Sequence, residues 1–514
     1  MPAGSSTSGC GSGGTRDPRQ ARTPVSNKHA KSNEAEVHRL RCPRSTTESI
    51  PTESEARAGR ILTGVNSGAG GKFRQASRKS SRLAEVHDPE QPPCGSSIWT
   101  RIARPVWVAA LTVVTLWGSG CRRNSFPDAP PGYREFAYVS NGKSNTVSVL
   151  DLVYVRPDRT LQVGHQPSGV TANPKRNEVY VVNTLSGSVS VIDTTSNSMA
   201  ATIPVHKLPY FIDVDGSGHR AYVANSGSNS VSVLDLDARR EIALAGTGEQ
   251  PGMARISPDG RTLVVSNRGS GSVSIFAVEP YIEPAHGIPA LTTKARQAPS
   301  PIPKLRAAFP GCPGATDIAI LPDSSKAFIA CSGGDGVMVV ALAAAPESWA
   351  AKQDPTLTSD HLLAVLQVGK TPVQLALKPD GGQIFCANFG SDSISSIDTQ
   401  TNEVSRTDTI ANQPVYSVVG NDSTLWISNF GADSLNLWSI DDGRMVPPGS
   451  VRTGNAPDAL AFSADQHLLL AADSRSGDVA VIRTTDKNGP ALFTILPAGQ
   501  SPNAIAVKAM TGKP

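Results

Sequence analysis

From about residue 136 onward the chain is written in short β-branched runs, each ended by Asn, Asp, Gly or Pro, and the runs recur at a fixed spacing. The phrase Tyr-Val-x-Asn stands at Tyr138-Val139-Ser140-Asn141, Tyr180-Val181-Val182-Asn183 and Tyr222-Val223-Ala224-Asn225, with Val264-Val265-Ser266-Asn267 as a fourth copy, 42 residues apart each time. Each is followed by a second run of the type Val189-Ser190-Val191-Ile192-Asp193. Short β-branched segments bounded by turn formers read as antiparallel strands, and several of them per unit of about 40 residues predict the blades of a β-propeller.

Within one unit the pattern predicts four strands. Pro167 opens an innermost strand over 169–172, a polar turn covers 173–177, and 178–183 is the second strand. A loop over 183–188 reverses the chain into a third strand at 189–193, and a weaker fourth lies at 200–205. Further second strands end at Cys331, Asn388, Asn429 and Asp473, which makes eight. The innermost openings also number eight, at Pro167, Pro209, Pro251, Gly314, Pro372, Pro414, Pro457 and Pro502. Because the array begins on a second strand and ends on an innermost one, its last blade must be completed by pairing the two ends of the chain, which removes exposed edges. The expected fold is all-β, an eight-bladed propeller over 135–508 with a tail at 509–514. Seven blades is the alternative, if the divergent unit around Phe328 is something else.

The leader is different material. Residues 1–95 are rich in Ser, Gly, Arg and Pro without apolar periodicity and read as a disordered leader. Residues 96–120 combine Arg101 and Arg104 with an apolar run from Val106 to Trp117 and then Gly118-Ser119-Gly120-Cys121. That order of basic, apolar and small residues is a secretory signal, too short to span a bilayer as a helix. Its end resembles a bacterial lipoprotein signal, in which Cys121 becomes the lipidated first residue. Gly118 stands where that family usually has Leu, and ordinary secretion or an uncleaved anchor are the alternatives. Residues 121–134 read as a linker. A signal a hundred residues into a chain points to a start codon assigned too far upstream, with true initiation near Leu83 or Val86; a genuine extension is the competing reading.

Charge follows the same division. Residues 1–120 carry 17 Lys and Arg against 9 Asp and Glu, and the remainder 31 against 35. The repeat region is therefore mildly acidic, which excludes nucleic acid as the expected partner. Of the seven cysteines, Cys10, Cys42 and Cys94 fall in the leader. Cys312 and Cys331 flank a hairpin and could bridge in an oxidising compartment, although strand pairing would set Cys331 nearer Asp317. Cys386 reads as a small buried hydrophobe. Asn at the end of each second strand is explained locally, by its side chain bonding nearby backbone and by its tolerance of left-handed conformations.

Tyr222-Val-Ala-Asn225, Val231-Ser-Val-Leu-Asp235 and Ser257-Pro-Asp-Gly260 resemble the YVTN-family propeller repeat of exported and surface-layer-type proteins, over roughly residues 135 to 508. The resemblance implies a propeller outside the cytoplasm and brings no shared catalytic motif. Related propellers that catalyse, such as haem-bearing nitrite reductases, quinoprotein dehydrogenases and lactonases, carry additional residues of their own.

No haem-attachment, zincin or nucleophile-elbow motif is present in the sequence. Gly71-Lys72 lacks the flanking Gly and hydroxyl of a phosphate loop, and the turn at Asp213-Val-Asp215-Gly matches those at Ser257 and Lys378, so it reads as a turn rather than a calcium loop. Candidate ligand-binding residues lie in the loop before each innermost strand: His165, Gln166, His206, Lys207, Glu249, Gln250, Lys370, Asn412, Gln413, Asn455, Gln500 and Ser501. His165 and His206, read as sharing one repeat position, are weak candidates for a metal or haem iron. Insertions at 279–303 and 343–361 follow third strands of neighbouring blades and should emerge together on the opposite face. The expected protein is a non-catalytic binding or scaffold propeller, monomeric, without cofactor, lipid-anchored on the bacterial envelope, and serving an unknown protein or small-molecule ligand. The alternative is a haem-, quinone- or metal-dependent or lactonase-like enzyme with its site at the channel mouth.

Overall fold

The computed structural model describes residues 129–281, 301–344, 348, 352–485 and 489–510, so the expectations for the leader, the signal and Cys121 lie outside the described residues. The chain forms eight four-stranded antiparallel sheets arranged in a ring. In blade 2 the strands are, from the channel outward, Pro167–Ala172, Glu178–Asn183, Ser188–Asp193 and Ser198–Pro204. Blades 3 to 8 open at Pro209, Pro251, Ala315, Pro372, Pro414 and Pro457. The unit around Phe328 is a blade, with Lys326–Cys331 as its second strand.

Blade 1 is composite. Its three outer strands, Arg134–Asn141, Thr146–Asp151 and Arg156–Gln162, come from the start of the array, and its innermost strand is Pro502–Met510 from the end. Tyr138 pairs with Ala506 and Arg134 with Met510, so the clasp runs the full length of the strand.

Second strands lie between two neighbouring blades and are buried on both faces, which is why Val179, Tyr180, Val181 and Val182 form an unbroken apolar run. The core is a set of clusters at the blade-to-blade seams: Tyr180, Val182, Val189 and Ile203 of blade 2 pack on Ile212, Val223 and Leu234 of blade 3. The repeated Tyr spends its hydroxyl on a hydrogen bond, Tyr138 donating to Asn197 Oδ1 at 2.5 Å and Tyr180 to Glu178 Oε2 at 2.6 Å. Outer strands carry a bulge at the same place in seven blades, between Val191 and Ile192 in blade 2, and blade 7 has a longer interruption there, between Asn436 and Trp438.

Candidate functional site

Each blade sends two connections to one face of the ring: the loop between second and third strands, and the crossing from one blade's outer strand to the next blade's innermost strand. These are laced backbone to backbone. Leu185 N–H donates to the His165 carbonyl at 3.1 Å, and the same bond joins Gly227 to Lys207, Gly269 to Glu249, Gly333 to Pro313, Gly390 to Lys370, Gly431 to Asn412, Arg475 to Asn455 and Lys143 to Gln500. Seven of the candidate side chains, His165, Lys207, Glu249, Lys370, Asn412, Asn455 and Gln500, thus occupy one equivalent, exposed position, with Pro313 as the eighth.

Gln166, Gln250 and Gln413 are the next residues along and take positive φ of 52°, 49° and 55°. Their N–H groups donate to Asn145, Asn229 and Asp392 Oδ1 of the preceding blade at 2.8, 2.9 and 2.8 Å, so their backbone ties blade to blade. Ser501 is the corresponding residue of blade 1, with φ 57°. His206 needs a correction. It lies three residues before Pro209 whereas His165 lies two before Pro167, so it matches Gly164 rather than His165, and its Nε2 sits 3.3 Å from Glu241 Oε1.

The recurring Asn also works differently from the local turn role expected of it. Asn183 is fully buried and its Nδ2 donates to Ser188 and Ser190 Oγ at 3.1 and 3.0 Å, across the hairpin. Asn141, Asn225, Asn267 and Asn388 repeat the pattern with the hydroxyls five and seven residues on. The crossing loop closes over this amide. A Cβ on Gly164 would fall 2.6 Å from Asn183 Cγ, and Gly248, Gly369 and Gly499 stand equally close to Asn267, Asn388 and Asn141. In blade 5 both partners are cysteines, Cys312 replacing the glycine and Cys331 the asparagine, and the structure joins them in a disulfide with Cα atoms 4.8 Å apart. The strand ladder pairs Cys331 with Ala315 rather than with Asp317; Cys312 reaches it from the crossing loop, a contact that strand pairing alone does not describe. Cys386 is a buried free thiol.

In blade 8 the asparagine is Asp473, fully buried, and its strand partner is Asp478. Burial raises the Asp473 carboxyl to about 7; the Gly454 N–H lowers it, and the neighbouring Asp478 carboxylate raises it further.

Sequence reasoning missed the channel wall. Innermost strands expose one edge of backbone groups toward the axis, and polar side chains from the adjacent blade satisfy them. Asp213 accepts from Ile256 N–H at 3.0 Å, Asp317 from Leu375 N–H at 2.9 Å, and Gln374 Oε1 from Ser417 N–H at 2.9 Å. Arg255 lies between the two aspartates, its Nη1 3.8 Å from Asp213 Oδ1 and its guanidinium 4.6 Å from the Phe211 ring centroid. Burial raises the Asp213 and Asp317 carboxyls, and Arg255 opposes the rise. The signal was available: Asp213 and Arg255 stand at a strand position where other blades carry Ala, Thr or Val, and Asp317 at one where they carry Gly, Ala, Phe, Met, Tyr or Gln.

The connections between third and fourth strands lie on the opposite face, and those of blades 4 and 5 are the long ones. Tyr281 stacks on His219 at 4.1 Å, and Arg306 makes a two-pronged ion pair with Asp360 at 2.9 and 2.7 Å. The Asp215 turn closes by a Gly218 N–H bond to the Asp215 carbonyl, the same closure as at Gly260 and Gly381. Among the described residues no group of three or more His, Cys, Asp or Glu is arranged to hold a metal ion.

No family model matches the chain, and no curated protein matches it. Solved structures match in fold. A dihydro-heme d1 dehydrogenase, NirN, in complex with DHE superposes with a TM-score of 0.57 at 15% identity, over 74% of this chain and 76% of its own. AztD of Citrobacter koseri superposes with a TM-score of 0.53 at 14% identity, over 74% of this chain and all of its own. At such identities the likeness is one of architecture alone.

Proposed function

We propose that this chain is a binding propeller of the YVTN type, exported and lipid-anchored at Cys121, which holds a small molecule or a partner's side chain at the channel mouth on the face of the crossing loops. The observation that carries the reading is the construction of that mouth. A backbone-laced ring holds one outward side chain per blade, and the chemistry varies from blade to blade while the backbone repeats. A scaffold that fixes the backbone and varies the side chains suits recognition. The charged groups deeper in the channel are engaged in capping neighbouring strands, which gives them a positional role.

Two measurements test this. Intact mass, visible spectrum and metal content of the purified protein should show a colourless, metal-free polypeptide carrying the mass of a lipid on Cys121, and Cys121→Ser should move the protein from the membrane to the soluble fraction. A chromophore or stoichiometric metal lost on changing His165 and His206 to Ala would make it a redox or metal-dependent propeller instead.

A further inference from the structure

We infer that the seam between blades 3 and 4 at the channel mouth is a seat for the carboxylate of a small organic acid, with Arg268 as its principal ligand. This rests on the mouth being the binding site.

Two facing positions depart from the repeat together in blade 4. The residue after the buried Asn is Arg268, where other blades carry Gly, Thr, Ser or Phe, and the second residue of the innermost strand is Gly252, where others carry Ser, Tyr, Thr, Val, Asp or Asn. They are matched in space. A Cβ at Gly252 would stand 3.1 Å from Arg268 Cδ and 3.2 Å from its Nε, so the glycine is what lets the arginine lie down along the inner strand. Its guanidinium then reaches the neighbouring blade and stacks over Tyr210, 4.6 Å from the ring centroid.

Arg268 forms no ion pair with a carboxylate among the described residues, and its Nε is buried without a hydrogen-bond partner. Deeper at the same seam, Arg255 stacks on Phe211 in the same manner and its Nε is likewise buried and unpartnered. A buried guanidinium donor without an acceptor is costly. Stacking fixes the guanidinium plane and leaves its N–H fork for a planar oxyanion, which a carboxylate meets with two parallel bonds. Beside the stacked Tyr210 ring, Leu208 on the crossing loop that leads into the same strand is 44% exposed and gives the seat an apolar flank. An acid group joined to a flat or apolar body fits both features.

The experiment is saturation-transfer NMR on the full-length chain with benzoate as probe. A benzoate signal in the wild type, weakened about tenfold in Arg268→Gln and in Gly252→Ala and unchanged in Lys378→Gln on the opposite face, supports the seat, provided that the variants keep the wild-type melting temperature. Competition by inorganic phosphate at equal concentration would replace the carboxylate with a general oxyanion site and overturn the class assigned. No wild-type signal, or an equal signal in Arg268→Gln, overturns the seat itself. If binding survives Arg268→Gln but is lost in Lys207→Gln/Lys370→Gln, the mouth remains the site and only the seat is wrong; if it survives both, the mouth reading falls as well.

Discussion

Asp473 pairs with Asp478 across the hairpin neck of blade 8, where six other blades place an asparagine opposite serine or threonine. Two acceptors have replaced a donor and an acceptor, so one proton must be shared or the pair must repel. The folded carboxyl sits at about 7, above the ordinary carboxyl range. Stability from this pair is therefore fully present below that range and is lost as pH rises through neutrality. Asp473→Asn should raise the stability of the protein at pH 8 by roughly 2 kcal/mol and leave it nearly unchanged at pH 4, read by denaturant unfolding at the two values. Equal gains at both would mean that the carboxyl is not the cause.

Asn183→Asp is the converse experiment. It puts a carboxylate where Nδ2 now serves Ser188 and Ser190 at 3.1 and 3.0 Å. The serines can turn to donate, but burial still opposes the charge. The variant should match the wild type most closely near pH 4 and lose roughly 1–3 kcal/mol by pH 8, a slope opposite to the relief expected on removing Asp473.

Fold and blade count were legible because the repeat spells its strands and its turns, and the closing clasp followed from the order in which they occur. The rim residues were legible too, since each precedes an innermost Pro by a fixed count, and miscounting that step by one is what put His206 beside His165. What stayed hidden depends on contacts between elements. Gly164 reads in sequence as a turn former, yet what requires it is the Asn183 amide lying beneath it. Arg255 and Asp317 read as breaks in an apolar strand until the ring closes and sets them side by side. Arg268 and Gly252 look unrelated until their column in the repeat is compared across blades.

The fit of crossing loop to asparagine is measurable. Gly164→Ala forces a Cβ to 2.6 Å from Asn183 Cγ, while a Cβ on Gly246, at the end of blade 3's outer strand, meets nothing within 4 Å. Gly164→Ala should cost roughly 2–4 kcal/mol and Gly246→Ala less than about 0.5 kcal/mol, measured by chemical denaturation. Comparable costs would show that the loop moves away freely.

Cys312 and Cys331 close a loop of 19 residues by sequence separation, which loop entropy values at roughly 3 kcal/mol. Dithiothreitol should lower the wild-type melting temperature and leave that of Cys312→Ser/Cys331→Ser unmoved. Changing Cys331 alone to Asn should not recover the ordinary pin, because Gly336 and Met338 occupy the places of the two serines and the new amide would be buried without acceptors.

Arg255 supplies the last case, because its partners reveal what it is for. Asp213 and Asp317 each accept a backbone N–H from the next blade, at 3.0 and 2.9 Å, and so help to hold the ring together at its axis. Those bonds are strongest with the carboxylates charged, yet burial favours the neutral acid, and Arg255 is the positive charge that opposes burial at both. Removing it as Arg255→Met leaves two acids to repel or protonate. The Arg255 side chain is 35% exposed, so screening limits the loss to roughly 2–3 kcal/mol. The variant should be least stable relative to wild type above neutrality and recover as pH falls and the acids protonate. Adding Asp213→Asn and Asp317→Asn should restore most of the loss, since an amide oxygen accepts the same N–H without a charge to balance. Failure of the triple variant to recover, with Arg255→Met flat in pH, would assign the arginine to packing on Phe211 instead.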